Sequence, residues 1–120
     1  MWFVGGLISG SLGFMLFHMQ HAFNPGYVVG AKDWAFKDAA LVGSSWLTVV
    51  PWWFKWATFG IEYHHIHHLS TRVPGYQLRS CHEALPEKVW LDAGVEVMGW
   101  DGVRKSLGYT LFDRELNVFI

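Results

Sequence analysis

The sequence has little charge and almost no cysteine. Asp, Glu, Lys and Arg make up 16 % of its 120 residues, against about 25 % in an average soluble protein, and the net charge is −1. The single cysteine, Cys81, excludes an internal disulfide and any Cys-x-x-Cys metal site. No run of Lys or Arg occurs, which argues against nucleic acid as a partner. A chain of this length has room for one domain.

Apolar side chains take the place of the missing charge, at 52 % of the residues with eight tryptophans. No charged residue precedes Lys32, and about 20 apolar residues cross a bilayer core of about 30 Å. We therefore predict a transmembrane helix over residues 2–22, ending near the Asn-Pro-Gly stretch at 24–26. A secretory signal peptide would begin with basic residues, and this segment has none.

Residues 35–61 form a second apolar segment, which Lys and Asp residues and the central Pro51 interrupt. Proline breaks a helix, so the sequence predicts two shorter helices here and not a second span. The segment is rich in tryptophan, whose ring prefers the level of the lipid headgroups. We therefore predict interfacial helices over 35–61.

The remainder, residues 70–120, is more polar and is predicted to be a small helical tail. We expect a turn-bearing loop over 70–77, one or two helices over 83–107, and a short terminal β-hairpin over 109–120. His82 is expected at the surface. The predicted fold class is therefore an all-α membrane protein, with one transmembrane helix, interfacial helices and this tail.

The stretch HHIHH at residues 64–68 holds four of the seven histidines of the chain. On a helix, His64, His67 and His68 stand at positions i, i+3 and i+4, so that their imidazoles share one face. They are then within reach of one metal ion or of two adjacent ions. His65 lies about 100° further round the helix and is a weaker candidate.

The end of the first predicted helix repeats this arrangement, because His18 and His21 lie one turn apart. Neither place offers a cysteine and carboxylates are sparse, so the donor set is nearly all nitrogen. Imidazole nitrogen suits Zn, Cu, Fe or Ni. Several uncompensated imidazoles beside a membrane would be costly, which favours a role as metal ligands.

Two other metal motifs fit the sequence less well. Glu62 and His65 form Glu-x-x-His, an element that each of two helices contributes in soluble di-iron proteins. One copy is present, and no further glutamate precedes Ser70. The zinc-hydrolase motif His-Glu-x-x-His is absent, so there is no general-base glutamate between paired histidines.

Four strings of the sequence resemble integral-membrane fatty acid desaturases and together run over nearly the whole chain. One string is similar to the third histidine box of acyl-lipid desaturases of the delta-12 or omega-3 bacterial and plastid type. It reads GIEYHHIHHLSTRVPGYQLRSCHE. The family's short membrane-surface segment resembles AALVGSSWL, and its Phe-x-x-Gln-His-x-Phe element resembles FHMQHAF. The family's C-terminal end is similar to GVRKSLGYTLFDRELNVF.

The resemblance implies a non-haem di-iron enzyme that uses O2 and two electrons to place a cis double bond in a fatty acyl chain. Position by position, it implies metal ligation by His64, His67, His68 and His21. His18 is a weaker match. His65 is expected to act through hydrogen bonds and not as a ligand.

The implied partners are a fatty acyl lipid as substrate, the membrane, and ferredoxin or cytochrome b5 as the electron donor. The resemblance places the tail on the cytosolic or stromal side. It leaves open a plastid, an endoplasmic reticulum or a bacterial inner membrane. Two earlier boxes of the family, His-x-x-x-His and His-x-x-His-His, have no separate copy here, so residues 1–120 are expected to be the C-terminal part of a desaturase.

Two alternatives stay open at this point. A related membrane di-iron hydroxylase or carotenoid ketolase shares the bare His-x-x-His-His spacing and would differ in product. A catalytically inactive desaturase fragment would share the family but not the activity.

Overall fold

The chain folds into short helices and a few very short strands around one long helix. The structure is a computed structural model that describes residues 2–22, 29–116 and 118–120. In chain order its elements are α1 (Trp2–Met19), α2 (Phe36–Leu41), β1 (Ser45–Leu47), α3 (Trp52–Thr58), α4 (His64–Leu69), α5 (Gly75–Glu83), α6 (Glu87–Asp92), β2 (Glu96–Met98), α7 (Trp100–Ser106), β3 (Phe112–Asp113) and β4 (Val118–Phe119). The predicted helical character is confirmed, but the prediction of an all-α chain with a short terminal hairpin is wrong at β1 and β2, which it did not include.

Helix α1 is the one element of the described ranges that is long and apolar enough to cross a membrane. Of its 18 residues, 11 % are buried, whereas the core helix of a soluble protein would be mostly buried. It ends at Met19 and not at the predicted residue 22, because the backbone tightens there: the His21 amide donates to the His18 carbonyl at 3.1 Å. The predicted end at 24–26, and Phe23 of the FHMQHAF string, lie outside the described residues.

The predicted break at Pro51 is confirmed, since Pro51 directly precedes the first residue of α3. Proline suits a helix start, where its missing N–H would lack an intrahelical partner anyway. Helices α2 and α3 therefore match the two predicted helices of 35–61. Strand β1 lies between them and was not predicted.

Strand β1 pairs in parallel with β2, and Leu47 lies opposite Met98. The other edge of β1 is hydrogen-bonded to the segment that leads into α4, because the Leu47 amide donates to the Glu62 carbonyl at 2.9 Å. The two short strands thus connect the tail to the start of the histidine helix. This pairing positions α4 although the strands are only three residues long each.

Helix α4 packs against α2, α5 and β1. Its Ile66 enters a core whose other buried members are Leu41, Tyr63, Leu78, Trp90 and Val95. A second core at the end of α1 contains Met19, Leu47, Val50 and Met98. Leu47 belongs to the second core, and the preceding residue, Trp46, packs against the first core. Strand β1 therefore joins the two cores.

The tail agrees with the sequence in outline. The loop expected over 70–77 is shorter, since α5 begins at Gly75 directly after Pro74. The helices expected over 83–107 are α6 and α7, and the terminal hairpin is confirmed by the antiparallel pairing of β3 and β4.

Candidate metal centre

Three imidazoles meet where the end of α1 approaches α4. His64 and His68 share one face of α4, and His21 comes from the turn that follows α1. The Nε2 atom of His21 lies 3.1 Å from Nε2 of His64 and 3.1 Å from Nε2 of His68. The Nε2 atoms of His64 and His68 are 3.0 Å apart. His21, which is 43 positions from His64 in the sequence, and the two histidines of α4 therefore direct three equivalent nitrogens at one point.

The size of this triangle fits the coordination sphere of a metal ion. Two nitrogens bonded at about 2.1 Å lie about 3.0 Å apart across a right angle and about 3.4 Å apart across a tetrahedral angle. The observed edges of 3.0 to 3.1 Å match the right angle. The cluster can hold a metal ion at three neighbouring corners of an octahedron, which leaves the other corners to further ligands.

The second nitrogen of His21 fixes its tautomer. Nδ1 lies 2.6 Å from the carbonyl oxygen of Phe17, and a carbonyl oxygen only accepts, so Nδ1 must donate. The lone pair of His21 is therefore on Nε2, directed into the cluster. Metal-bound histidines are commonly oriented by such a bond from the other ring nitrogen.

Burial keeps the imidazoles of His64 and His68 neutral. It lowers the pKa of His64 to about 2, with repulsion from a charged His68 as the next cause. Burial likewise lowers the pKa of His68 to about 4, with repulsion from His21 next. Neutral imidazole is the form that binds metal, and lone pairs directed at one point repel each other unless a cation lies between them.

Two predicted ligands lie outside the three-nitrogen cluster. The ring of His67 stacks beside that of His64, with the ring centres 5.6 Å apart. His18 is turned away, and its Nε2 donates to the Ser106 carbonyl at 2.8 Å. That bond ties the end of α1 to α7.

His65 faces a different side of α4 from His64 and His68, and it pairs with His82 of α5. Its Nε2 lies 3.0 Å from Nδ1 of His82, and one proton between these nitrogens makes a hydrogen bond. The expectation that His82 lies at the surface is wrong, because Trp46, Tyr63 and Trp90 surround its ring. Trp90 also fixes the backbone of His82, since its Nε1 donates to the His82 carbonyl at 3.0 Å.

Gln20 is a positioning residue that the sequence analysis did not single out. It is 1 % exposed, and its Nε2 donates to the Ile61 carbonyl at 2.7 Å. This bond joins the turn that carries His21 to the segment that precedes α4. A signal was present in the sequence, because an uncharged polar residue stands between two candidate ligands in FHMQHAF.

The fold and the site define a class of protein: a mainly helical chain with one exposed apolar helix and an all-imidazole metal-binding cluster at the end of that helix. A family model described as "Fatty acid desaturase" matches residues 1–97. The chain belongs to the fatty acid desaturase family.

One curated relative, named "Fatty acid desaturase", comes from Bacillus subtilis (strain 168) and is 46 % identical over 77 residues. The alignment covers 64 % of this chain and 22 % of the relative, so the chain spans about a fifth of that protein. No solved structure matches.

Proposed function

We propose that this chain is the C-terminal part of a membrane fatty acid desaturase and that His21, His64 and His68 hold one iron of its di-iron centre. The convergence of their three Nε2 atoms carries the proposal. Membership of the family supports iron as the metal. The right-angle spacing also favours a six-coordinate ion over tetrahedral zinc.

The other candidate histidines receive different roles. His67, whose ring stacks beside that of His64, would serve the second iron. His65 acts through its hydrogen bond to His82, which fixes the rotation of α4 about its axis. His18 orients the end of α1 through its bond to Ser106 and is the weakest candidate ligand.

The reaction removes two hydrogens from adjacent carbons of a fatty acyl chain, while O2, two electrons and two protons give two waters. A di-iron centre supplies the oxidising power for these unactivated C–H bonds. Ferredoxin or cytochrome b5 would deliver the electrons. The imidazoles of this chain contribute neutral donors that the carboxylate of a lipid does not displace readily.

The placement in a membrane is supported by the exposed surface of α1 and by its neighbour α3. The two helices border a cleft of 390 Å³ that runs along α1 from Gly5 to Leu16 and along α3 from Phe54 to Thr58. If α1 spans the bilayer, α3 lies beside it and its tryptophans reach the headgroup level. The metal-binding cluster then lies just beyond the end of α1, on the side of the tail.

Iron content tests the metal centre directly. We expect the detergent-purified chain to bind iron, and a variant with His64, His67 and His68 changed to alanine to lose it. Gln77→Ala serves as the control, because it alters an exposed residue of α5 outside the cluster. Elemental analysis gives iron per chain, and circular dichroism checks that each variant is folded. Equal iron in the wild type and the triple variant would contradict the proposal.

The reaction class is tested by lipid analysis. In a host that expresses the chain together with the upstream segments of a desaturase, we expect additional cis double bonds in the fatty acids. The triple alanine variant should abolish them. Hydroxylated chains without new double bonds would point to a hydroxylase instead.

A further inference from the structure

A pocket with an unusual lining opens between α3 and α5. Its volume is 320 Å³. Three aromatic residues line it, Trp56, Phe59 and Tyr76, together with three charged residues, Lys55, Glu62 and Arg79. None of these six residues takes part in the proposed metal centre.

Glu62 is the buried member of this lining. It is 4 % exposed, and its carboxylate has one described hydrogen bond, a long one of 3.5 Å from the Thr58 hydroxyl. Within the described residues it forms no ion pair, since the described salt bridge of this region joins Arg79 to Glu83. A buried carboxylate without close donors favours the binding of a cation beside it.

The aromatic rings select the kind of cation. Trp56, Phe59 and Tyr76 are 80 %, 64 % and 75 % exposed, so their faces are available to a ligand. Aromatic rings around a carboxylate bind alkylated ammonium groups, through the attraction of a cation to the ring face. A small metal ion would instead need several oxygen ligands, and Glu62 is the only carboxylate of the lining.

The two basic residues of the pocket fit the other half of the ligand. Lys55 and Arg79 are exposed, and Arg79 uses Nε for its 2.8 Å bond to Glu83. Its two terminal nitrogens can therefore face a phosphate, which a guanidinium binds through a pair of hydrogen bonds. A phosphate and an alkylated ammonium group on one small molecule describe a zwitterionic phospholipid headgroup.

The location of the pocket agrees with such a ligand. Lys55 and Trp56 lie on α3 and Phe59 directly follows it, while Phe54 and Thr58 of the same helix border the cleft along the exposed helix α1. Three tryptophans of α3 are exposed, as expected of a helix at the headgroup level. If α3 lies at the headgroup level, the pocket faces the layer in which lipid phosphates and ammonium groups lie.

We propose that this pocket binds the headgroup of a zwitterionic glycerophospholipid, with the ammonium group between Glu62 and the aromatic rings and the phosphate on Lys55 and Arg79. The site is independent of the metal centre and of the proposed reaction. It requires no metal, so the test is made on protein treated with a chelator. Its failure would leave the proposed desaturase function unaffected.

The probe is glycerophosphocholine, which carries the headgroup but no acyl chain and so does not enter detergent micelles. Titration into the full 120-residue chain in a maltoside detergent is followed by saturation-transfer NMR on the protons of each ligand. Glycerophosphoglycerol, which lacks the ammonium group, and choline alone, which lacks the phosphate, serve as comparison ligands. We expect each to bind about fivefold more weakly than glycerophosphocholine.

Two variants and one control decide the assignment. Glu62→Gln should abolish the preference for glycerophosphocholine, and Trp56→Leu, at an exposed position that does not endanger folding, should do the same. Glu96→Gln, at an exposed glutamate on β2, should leave the preference unchanged. Equal binding of the two phosphodiesters, or a preserved preference in Trp56→Leu, would overturn the ammonium site. Choline bound as tightly as glycerophosphocholine would overturn the phosphate site and the lipid assignment.

Discussion

At the scale of single residues, Gln20 holds the two halves of the metal-binding cluster together. We expect Gln20→Leu to weaken metal binding at least about tenfold, since outer partners of metal ligands commonly contribute that much. The variant keeps the side-chain size but leaves the Ile61 carbonyl without its donor. Cobalt titration followed by absorbance measures the affinity. Gln77→Leu on the exposed face of α5 is the matched control and should bind like the wild type.

His67 and His64 should differ although the sequence places them together. His64→Ala removes a member of the three-nitrogen cluster, so the first equivalent of cobalt should bind at least about tenfold more weakly. His67→Ala leaves those three nitrogens in place, so the first equivalent should bind within about twofold of wild type while total iron per chain falls. Equal losses in the two variants would show that His67 belongs to the same set of ligands.

The spacing of the histidines predicted most of this site, and it could not predict the rest. His64 and His68 are one helical turn apart, so their meeting follows from the period of the helix. The position of His21 beside them depends on tertiary packing, and its role as a ligand was predicted from the family resemblance. Gln20, Glu62 and His82 are buried polar residues whose environments are built by distant segments, and local pattern carries little information about them.

At the scale of the elements, the turn between α3 and α4 determines how closely α4 lies to α5. Gly60 has a φ of +85°, and a methyl group placed on it would lie 2.6 Å from the Gly75 carbonyl oxygen. We expect Gly60→Ala to lower the free energy of unfolding by about 1 to 3 kcal/mol, through backbone strain and this collision. Chemical denaturation monitored by tryptophan fluorescence measures the loss.

Gly99 provides the control for this substitution. A methyl group placed there meets nothing within 4 Å, and the residue does not have a positive φ. Gly99 is the N-cap residue of α7, where glycine is preferred over alanine, so Gly99→Ala should lower the free energy of unfolding by less than about 1 kcal/mol. A Gly60→Ala variant as stable as Gly99→Ala would show that the turn relaxes without cost.

The elements that the sequence predicted are those with strong local signals. Long apolar composition predicted α1, Pro51 predicted the start of α3, and alternating residues near the end predicted the hairpin. The parallel pair of β1 and β2 escaped prediction for a physical reason. Each strand has three residues, and their pairing joins Ser45 to Glu96 across a separation that no local pattern encodes.

At the scale of the whole molecule, two environments divide the chain. Helix α1 exposes apolar side chains along most of its length, whereas the buried residues gather beneath α4 and at the end of α1. In water such a helix would be a large exposed apolar surface, while in a bilayer it needs no further cover. The three-nitrogen cluster lies at the boundary between these two parts, where the end of α1 meets α4.

This division predicts the topology of the chain. Helix α1 has 18 residues and measures about 27 Å at 1.5 Å per residue, close to the hydrocarbon thickness of about 30 Å. We expect its two ends to lie on opposite sides of the membrane, with the tail in the cytosol. In a Cys81→Ser background, Trp2→Cys and Glu115→Cys place single thiols at exposed positions on α1 and in the terminal hairpin.

A membrane-impermeant maleimide should label Trp2→Cys in intact bacterial cells and Glu115→Cys in inverted vesicles. Labelling after detergent solubilisation is the control that both thiols are reactive. If both positions react from the same side, α1 does not span the bilayer, and a helix lying in the interface would have to bring the metal-binding cluster to the acyl chains. Opposite labelling places the three imidazoles at the cytosolic end of a span, within reach of a soluble electron donor.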